Sequence, residues 1–343
     1  MRQMIKKLLL LTLAFCLSFS FVGCGESEST YKDQTGVTAS NKPIDPNANS
    51  KPKIGIAWEN DDPKSYELMK KVIEAAGATP VVLSQVLSGV VSYEGKNLSP
   101  SEIDENGCIK EETAKLIKEV NYNNSNVSSV IGKLRGVVFM GGDDICPTLF
   151  EESISMKNTD KKDYTLERDI SDYLLMSYCI DYDIPVLGLC RGMQMLTLLS
   201  GGTITNVDTY YKMLDKTYKD EHRLPKNAEG KVEDYTPHKI KILDTDSRIY
   251  NILQQEIIEG VPSWHHQILF TENAKNLMVS AIAPFDGVVE AVERSDKAYI
   301  VGYQFHPEAS LQKRFKAADN ANDFLDYESG LKFFTDFVAA VKK

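Results

Sequence analysis

The chain has 343 residues, of which 42% are hydrophobic and 9% aromatic, and a formal net charge of -10. That length and apolar content suffice to bury the core of one large domain. The acidic balance, with no cluster of Lys and Arg to meet phosphates, excludes nucleic acid as an expected partner.

Residues 1–23 read as an export signal, basic from Met1 to Lys7 and apolar from Leu8 to Val22. The apolar run is shorter than the roughly 20 residues a spanning helix needs. Phe21-Val22-Gly23-Cys24 resembles the lipobox of bacterial lipoproteins, with Phe21 where those proteins usually carry Leu. The resemblance implies acylation of Cys24 and an extracytoplasmic protein anchored to the bacterial cell membrane through an N-terminal lipid; plain secretion is the alternative. The rest of 24–51 is rich in Ser, Thr, Asn, Asp, Glu and Pro without apolar periodicity, and reads as a disordered polar linker. Its flexible span of roughly 30 Å would hold a domain clear of headgroups.

The folded domain is expected over 52–343. Apolar strands alternate with helical patterns: a strand from Lys53 to Trp58, a helix from Ser65 to Ala76, then a strand from Thr79 to Leu83. Ser88 to Lys133 reads as a polar, partly helical insertion. Gly136 to Met140 is the next strand, Leu166 to Ile180 a helix, Pro185 to Leu189 a strand and Arg191 to Leu199 its following helix. His238 to Leu243, Met278 to Ala283, Val288 to Glu293 and Tyr299 to Phe305 are strand-like, and Leu331 to Val341 closes the chain as a helix. This alternation predicts an α/β fold, a mostly parallel central sheet flanked by helices, with active residues at the carboxyl ends of strands.

Cys190 stands between Gly188 and Gly192 where strand passes into helix, the pattern of a nucleophile elbow. The two glycines clear the turn, and the helix N-terminus favours an anionic thiolate. Of the five histidines, His306 is the candidate base. It follows a strand and precedes Pro307-Glu308, so Pro307 restricts its backbone and Glu308 can hold the far ring nitrogen.

Six cysteines are too few for a dense disulfide framework. Cys179 reads as core packing. Cys146 follows the strand-end loop Gly141-Gly142-Asp143-Asp144, so reversible pairing with Cys190 is one reading and a bystander thiol the other. His265 and His266 with His306 invite a metal reading. Neighbouring residues on an extended segment point to opposite faces, and no second acidic or histidine cluster has ligand spacing, so neither metal nor cofactor is expected. His222 and His238 read as structural or peripheral.

Taken together, Gly188-Leu189-Cys190-Arg191-Gly192-Met193-Gln194 and Gly302-Tyr303-Gln304-Phe305-His306-Pro307-Glu308 resemble the class I glutamine amidotransferase-like superfamily, with its flavodoxin-like architecture. Within it the pattern is similar to the γ-glutamyl-γ-aminobutyrate hydrolases and related γ-glutamyl peptidases. Gly141-Gly142-Asp143-Asp144, Arg168-Asp169, Trp264-His265-His266-Gln267 and Asp286-Gly287-Val288-Val289-Glu290-Ala291 support the likeness.

The resemblance implies a Cys190–His306–Glu308 triad that cleaves a small γ-glutamyl amide through a thioester. It further implies an oxyanion site from the backbone amides of Gly142 and Arg191, and substrate contacts from Gln194, His266 and Gln267. Pro262-Ser263 and Ile204-Thr205-Asn206 depart from the family pattern near the pocket and leave the departing amine open. A glutaminase-type amidotransferase subunit and a noncatalytic ligand-binding lipoprotein are the competing readings.

Overall fold

The computed structural model describes residues 51–58, 63–149, 164–224, 235–311 and 324–343. The expected signal, Cys24 and almost all of the linker lie outside the described residues.

Strands of two kinds meet in one sheet. β1 (Lys53–Ile56), β2 (Thr79–Val82), β5 (Gly136–Phe139), β6 (Val186–Leu189) and β13 (Ile300–Tyr303) pair in parallel in the order β2-β1-β5-β6-β13. β5, β6 and β13 are buried at every position. Their sequences Gly-Val-Val-Phe, Val-Leu-Gly-Leu and Ile-Val-Gly-Tyr are unbroken and nonpolar because helices cover both faces of a parallel sheet.

β12 (Val289–Arg294), β11 (Leu277–Ile282), β8 (Thr236–Ile242) and β9 (Ile257–Ser263) continue the sheet antiparallel beyond β13. β8 alternates buried His238, Ile240 and Ile242 with exposed Pro237, Lys239 and Lys241, the signature of a sheet with one solvated face. The parallel sheet expected from the sequence is therefore the half that bears the strand-end loops, and an antiparallel half extends it. Two short pairs stand apart: β3 (Tyr93–Glu94) with β4 (Asn97–Leu98), and β7 (Thr203–Asn206) with β10 (Gln267–Phe270).

The helices cover the sheet. α1 (Pro63–Ala75) and α8 (Tyr327–Val341) contribute Met69, Val72, Phe333, Phe334, Phe337 and Val338 to one hydrophobic cluster, together with Leu187 and Val301 of the central strands. The Asp326 side chain accepts the Ser329 amide at 2.8 Å and caps α8. α4 (Leu166–Asp181) and α5 (Arg191–Leu199) bury Ile170, Leu174, Met193 and Leu196 in the other cluster.

The segment expected to be a polar insertion, 88–133, joins this second core. It carries α2 (Glu111–Val120) and α3 (Val127–Ile131), and Ile109, Ala114, Ile117, Val127 and Ile131 are buried. Glu111 and Glu112 in the first turn and Lys118 in the last suit the dipole of α2, so the charges that made the segment read as polar sit on its outer face. α6 (Val207–Met213) and α7 (Arg248–Leu253) complete the described helices.

Candidate active site

The loops after β5, β6 and β13 are brought together by strand register. Gly188 of β6 pairs with Phe139 of β5 on one side and with Gly302 of β13 on the other. Gly141, Cys190 and His306, each one or more residues past its strand, therefore emerge side by side at the carboxyl edge.

Cys190 has φ 48° and ψ -102°, left-handed backbone that a residue with a side chain adopts only under constraint. Its amide donates to Tyr303 O at 2.7 Å and its carbonyl accepts from Gln194 N at 3.1 Å, so the turn is held from the neighbouring strand and from the helix. A Cβ on Gly192 would lie 2.4 Å from the carbonyl oxygen of Phe139, which explains the glycine. α5 begins at the next residue, with the bounds the sequence predicts.

The His306 ring approaches this thiol. A Cβ on Gly141 would stand 2.7 Å from His306 Cε1 and 3.5 Å from Cys190 Cβ, so the glycine lies against both groups. His306 Nδ1 hydrogen-bonds Glu308 Oε1 at 2.8 Å. Burial disfavours charge on this imidazole, but the Glu308 carboxylate on one side and the Cys190 sulfur on the other outweigh it and raise its pKa to about 10. Pro307 and Glu308 open a buried helical turn, Pro307–Leu311, which places the carboxylate two residues beyond the base.

Gln304, two residues before His306, reaches the sulfur: its Nε2 donates to Cys190 Sγ at 3.4 Å, a contact the motif's spacing does not predict. The thiol itself donates to the Trp264 carbonyl at 3.8 Å. Tyr235 packs edge-on against both the Trp264 and His306 rings, with centroids 5.1 and 5.2 Å away.

Behind the elbow lies a buried charge network. The Arg191 guanidinium bonds Asp172 Oδ2 at 2.5 Å and Asp169 Oδ1 on its other branch. Arg168 donates to Asp172 Oδ2 at 3.3 Å and to the carbonyls of Met140 and Gly141 at 2.8 and 2.9 Å. Arg168, Asp169 and Asp172 share one face of α4 through i,i+3 and i,i+4 spacing. Gly142 has φ 147°, and a Cβ there would lie 2.1 Å from Arg168 Nη1, so the guanidinium lies against the glycine. Burial pushes the Asp169 carboxyl up to about 6 against the pull of Arg191. One network thus ties the β5 loop and the first residue of α5 to the same helix. The sequence signal was Arg168-Asp169 next to the elbow arginine.

The other candidate residues fall as follows. His266 Nε2 meets Asp144 Oδ1 at 2.9 Å and its Nδ1 meets Arg223 Nη1 at 2.8 Å, so it grips the loop that carries Gly142. Gln194 and Gln267 are buried, and both polar atoms of the Gln267 amide lack a hydrogen-bond partner among the described residues. His265 turns away from His266 toward Glu290, and His306 is engaged by Glu308. His265, His266 and His306 therefore do not converge on one centre. Cys146 does not turn to Cys190: it interacts with the Cys108 thiol, Thr148 Oγ1 at 3.1 Å and the Ile109 amide at 3.3 Å. The contact with Cys108 and burial push its thiol pKa up. The insertion fills the space beside Cys146 and takes up its sulfur.

A cysteine on a strained strand-to-helix turn, a histidine–carboxylate pair from the adjacent strand and a glycine loop facing both form the kind of arrangement that thiol-dependent hydrolases use. Residues 113–308 match the Peptidase C26 family, and the chain belongs to it. Among its relatives, protein NtpR of Enterococcus hirae is 31% identical over 53% of this chain and 70% of its own length. The γ-glutamyl-γ-aminobutyrate hydrolase of Escherichia coli O157:H7 is 29% identical over 54% of this chain and 68% of its own. A crystal structure of a glutamine amidotransferase from Thermotoga maritima is similar at 12% identity and a TM-score of 0.43, covering 85% of this chain and 96% of that one.

Proposed function

We propose that the protein hydrolyses γ-glutamyl amide bonds, in γ-glutamyl-γ-aminobutyrate or related γ-glutamyl amines and peptides, through a γ-glutamyl thioester on Cys190. The observation that carries this reading is the Cys190–His306–Glu308 arrangement, in which a buried carboxylate holds the imidazole with its other nitrogen toward the sulfur.

With its proton already held on His306 Nε2, as the raised pKa of that ring implies, the Cys190 sulfur bonds as thiolate to the γ-carbonyl carbon. The carbonyl oxygen becomes anionic and accepts the backbone N–H groups of Gly142 and Arg191, each typically worth on the order of 3 kcal/mol. Collapse breaks the C–N bond, and the imidazolium protonates the departing amine. Water then adds to the thioester, losing a proton to His306, and glutamate leaves as the C–S bond breaks and restores the thiolate. Gln304 hydrogen-bonds the sulfur throughout, and the charge network behind the elbow holds the two oxyanion loops in register.

Gln194, His266 and Gln267 contact the substrate in this reading. The unpartnered, buried amide of Gln267 and the link from His266 to the oxyanion loop support it. The amino-terminal sequence supports an extracytoplasmic site of action, with Cys24 as the lipid anchor.

The test is release of glutamate from a panel of γ-glutamyl amides, peptides and glutamine, together with acid-quench mass spectrometry of the Cys190 peptide. A γ-glutamyl adduct on that peptide and loss of turnover in folded Cys190→Ala are expected. Glutamate release by Cys190→Ala at the wild-type rate would overturn the mechanism.

A further inference from the structure

Away from the triad, four side chains meet in the antiparallel half of the sheet. His222 precedes β8, His238 lies on β8, His265 follows β9 and Glu290 lies on β12, and all four are buried. The distances to one carboxylate oxygen, Glu290 Oε1, are 3.3 Å from His238 Nε2, 3.6 Å from His222 Nδ1 and 3.6 Å from His265 Nε2. His222, His238 and Glu290 each offer a donor atom, and the three donors lie within 4.8 Å of one another.

The outer nitrogen of each ring is already engaged. His222 Nε2 donates to Asp286 Oδ2 at 2.8 Å, His265 Nδ1 to Gln267 O at 2.9 Å and His238 Nδ1 to Glu221 O at 3.3 Å. These acceptors fix the tautomer, because a neutral imidazole that donates from one nitrogen presents a lone pair from the other. The inner nitrogens and both Glu290 oxygens make no hydrogen bond among the described residues. Three lone pairs and a carboxylate thus face one another in a space closed to water. A single shared proton would serve only one of the three contacts, leaving acceptors opposed in a low dielectric.

We infer that this cluster is a structural site for a zinc-class divalent cation, with His222 Nδ1, His238 Nε2 and Glu290 as its ligands and His265 Nε2 packed beside Glu290 at 3.6 Å. Ligands about 2.0–2.1 Å from a tetrahedral ion stand about 3.4 Å apart, which is the spacing of these atoms around Glu290 Oε1. Imidazole and carboxylate suit zinc and its transition-metal neighbours over magnesium or calcium, and all three ligands are buried. Asp286 is the outer partner of His222 and is itself held by Tyr211 Oη at 2.7 Å and the Val288 amide at 3.0 Å, as an orienting carboxylate should be. Through Glu290, which His265 Nε2 approaches at 3.6 Å, the ion would brace the Trp264–Gln267 segment, whose Trp264 carbonyl meets Cys190 and whose His266 meets the loop carrying Gly142.

The full chain, freed of any affinity tag, would be stripped with chelator and titrated with Zn2+ against a chromophoric competitor, with bound metal counted by plasma mass spectrometry. One equivalent per chain is expected, with a thermal midpoint that rises on adding Zn2+ and not Mg2+. His238→Gln should lower the zinc affinity at least tenfold. Because a ligand variant may unfold, Asp286→Asn, which touches only the outer shell, provides the second measurement and should weaken binding about 10- to 100-fold. Less than a tenth of an equivalent bound by the folded wild type, or one equivalent bound unchanged in both variants, would overturn the site. Neither readout depends on turnover, so either result leaves the hydrolase reading to its own test.

Discussion

Glu308→Gln separates the charge of the third triad member from its shape. The amide oxygen can still accept from His306 Nδ1, but the attraction that outweighs burial is gone. The rise of the His306 pKa from about 6.5 to about 10 corresponds to a difference on the order of 5 kcal/mol at 1.36 kcal/mol per tenfold, and the Glu308 carboxylate is the strongest influence favouring the charged ring. Without it, only the Cys190 sulfur opposes desolvation, and the ring pKa is expected to fall.

The wild-type histidine is raised above its unfolded value, so its stabilising contribution is full below about pH 6.5 and is lost as pH rises through about 10. In Glu308→Gln the decline of stability across that window should disappear. The effect on kcat/KM at pH 7 should be a loss of about 10^4-fold, the scale seen when a triad carboxylate becomes an amide. Iodoacetamide labelling of Cys190 from pH 5 to 11, with urea unfolding at the same pH values, reads both effects without knowledge of the substrate. Superimposable labelling and stability profiles for the variant and wild type would refute the reasoning.

Asp172→Asn should destabilise the fold by about 3–5 kcal/mol in urea unfolding, because the buried Arg168 and Arg191 guanidiniums would share Asp169 alone. Gly192→Ala should cost about 1–3 kcal/mol and most of the activity, since its Cβ would meet the Phe139 backbone oxygen at 2.4 Å; wild-type thermal stability would contradict that clash. His266→Ala removes a half-exposed pair with Asp144, so unfolding should change by no more than about 1 kcal/mol. Steady-state kinetics on that variant should show KM rising more than kcat falls.

The parallel half of the sheet and the meeting of Cys190, His306 and Glu308 were legible in the sequence because their signals are local. Unbroken nonpolar runs mark β5, β6 and β13, and each catalytic side chain sits within a few residues of a strand end. β9 is obscured because Glu259, Gly260 and Pro262 interrupt its pattern, and β7 and β10 because Thr-Ile-Thr-Asn and Gln-Ile-Leu-Phe offer only one and three apolar residues. The 88–133 segment was read from its charges, while its apolar residues are spaced along one helix face at Ala114 and Ile117. The network of Arg191 and the meeting of His222, His238, His265 and Glu290 depend on contacts between distant elements, which spacing along the chain does not encode.

The nucleophile and its proton carrier rise from the parallel half of the sheet, whereas the Trp264–Gln267 segment that looks onto them leaves the antiparallel half. The thiol and imidazole of the candidate site thus stand on different stretches of polypeptide from the Trp264–Gln267 segment that faces them. On the proposed reading, exchange of the turns among β8, β9 and β10 would reshape the Trp264–Gln267 side of the site without touching the elbow.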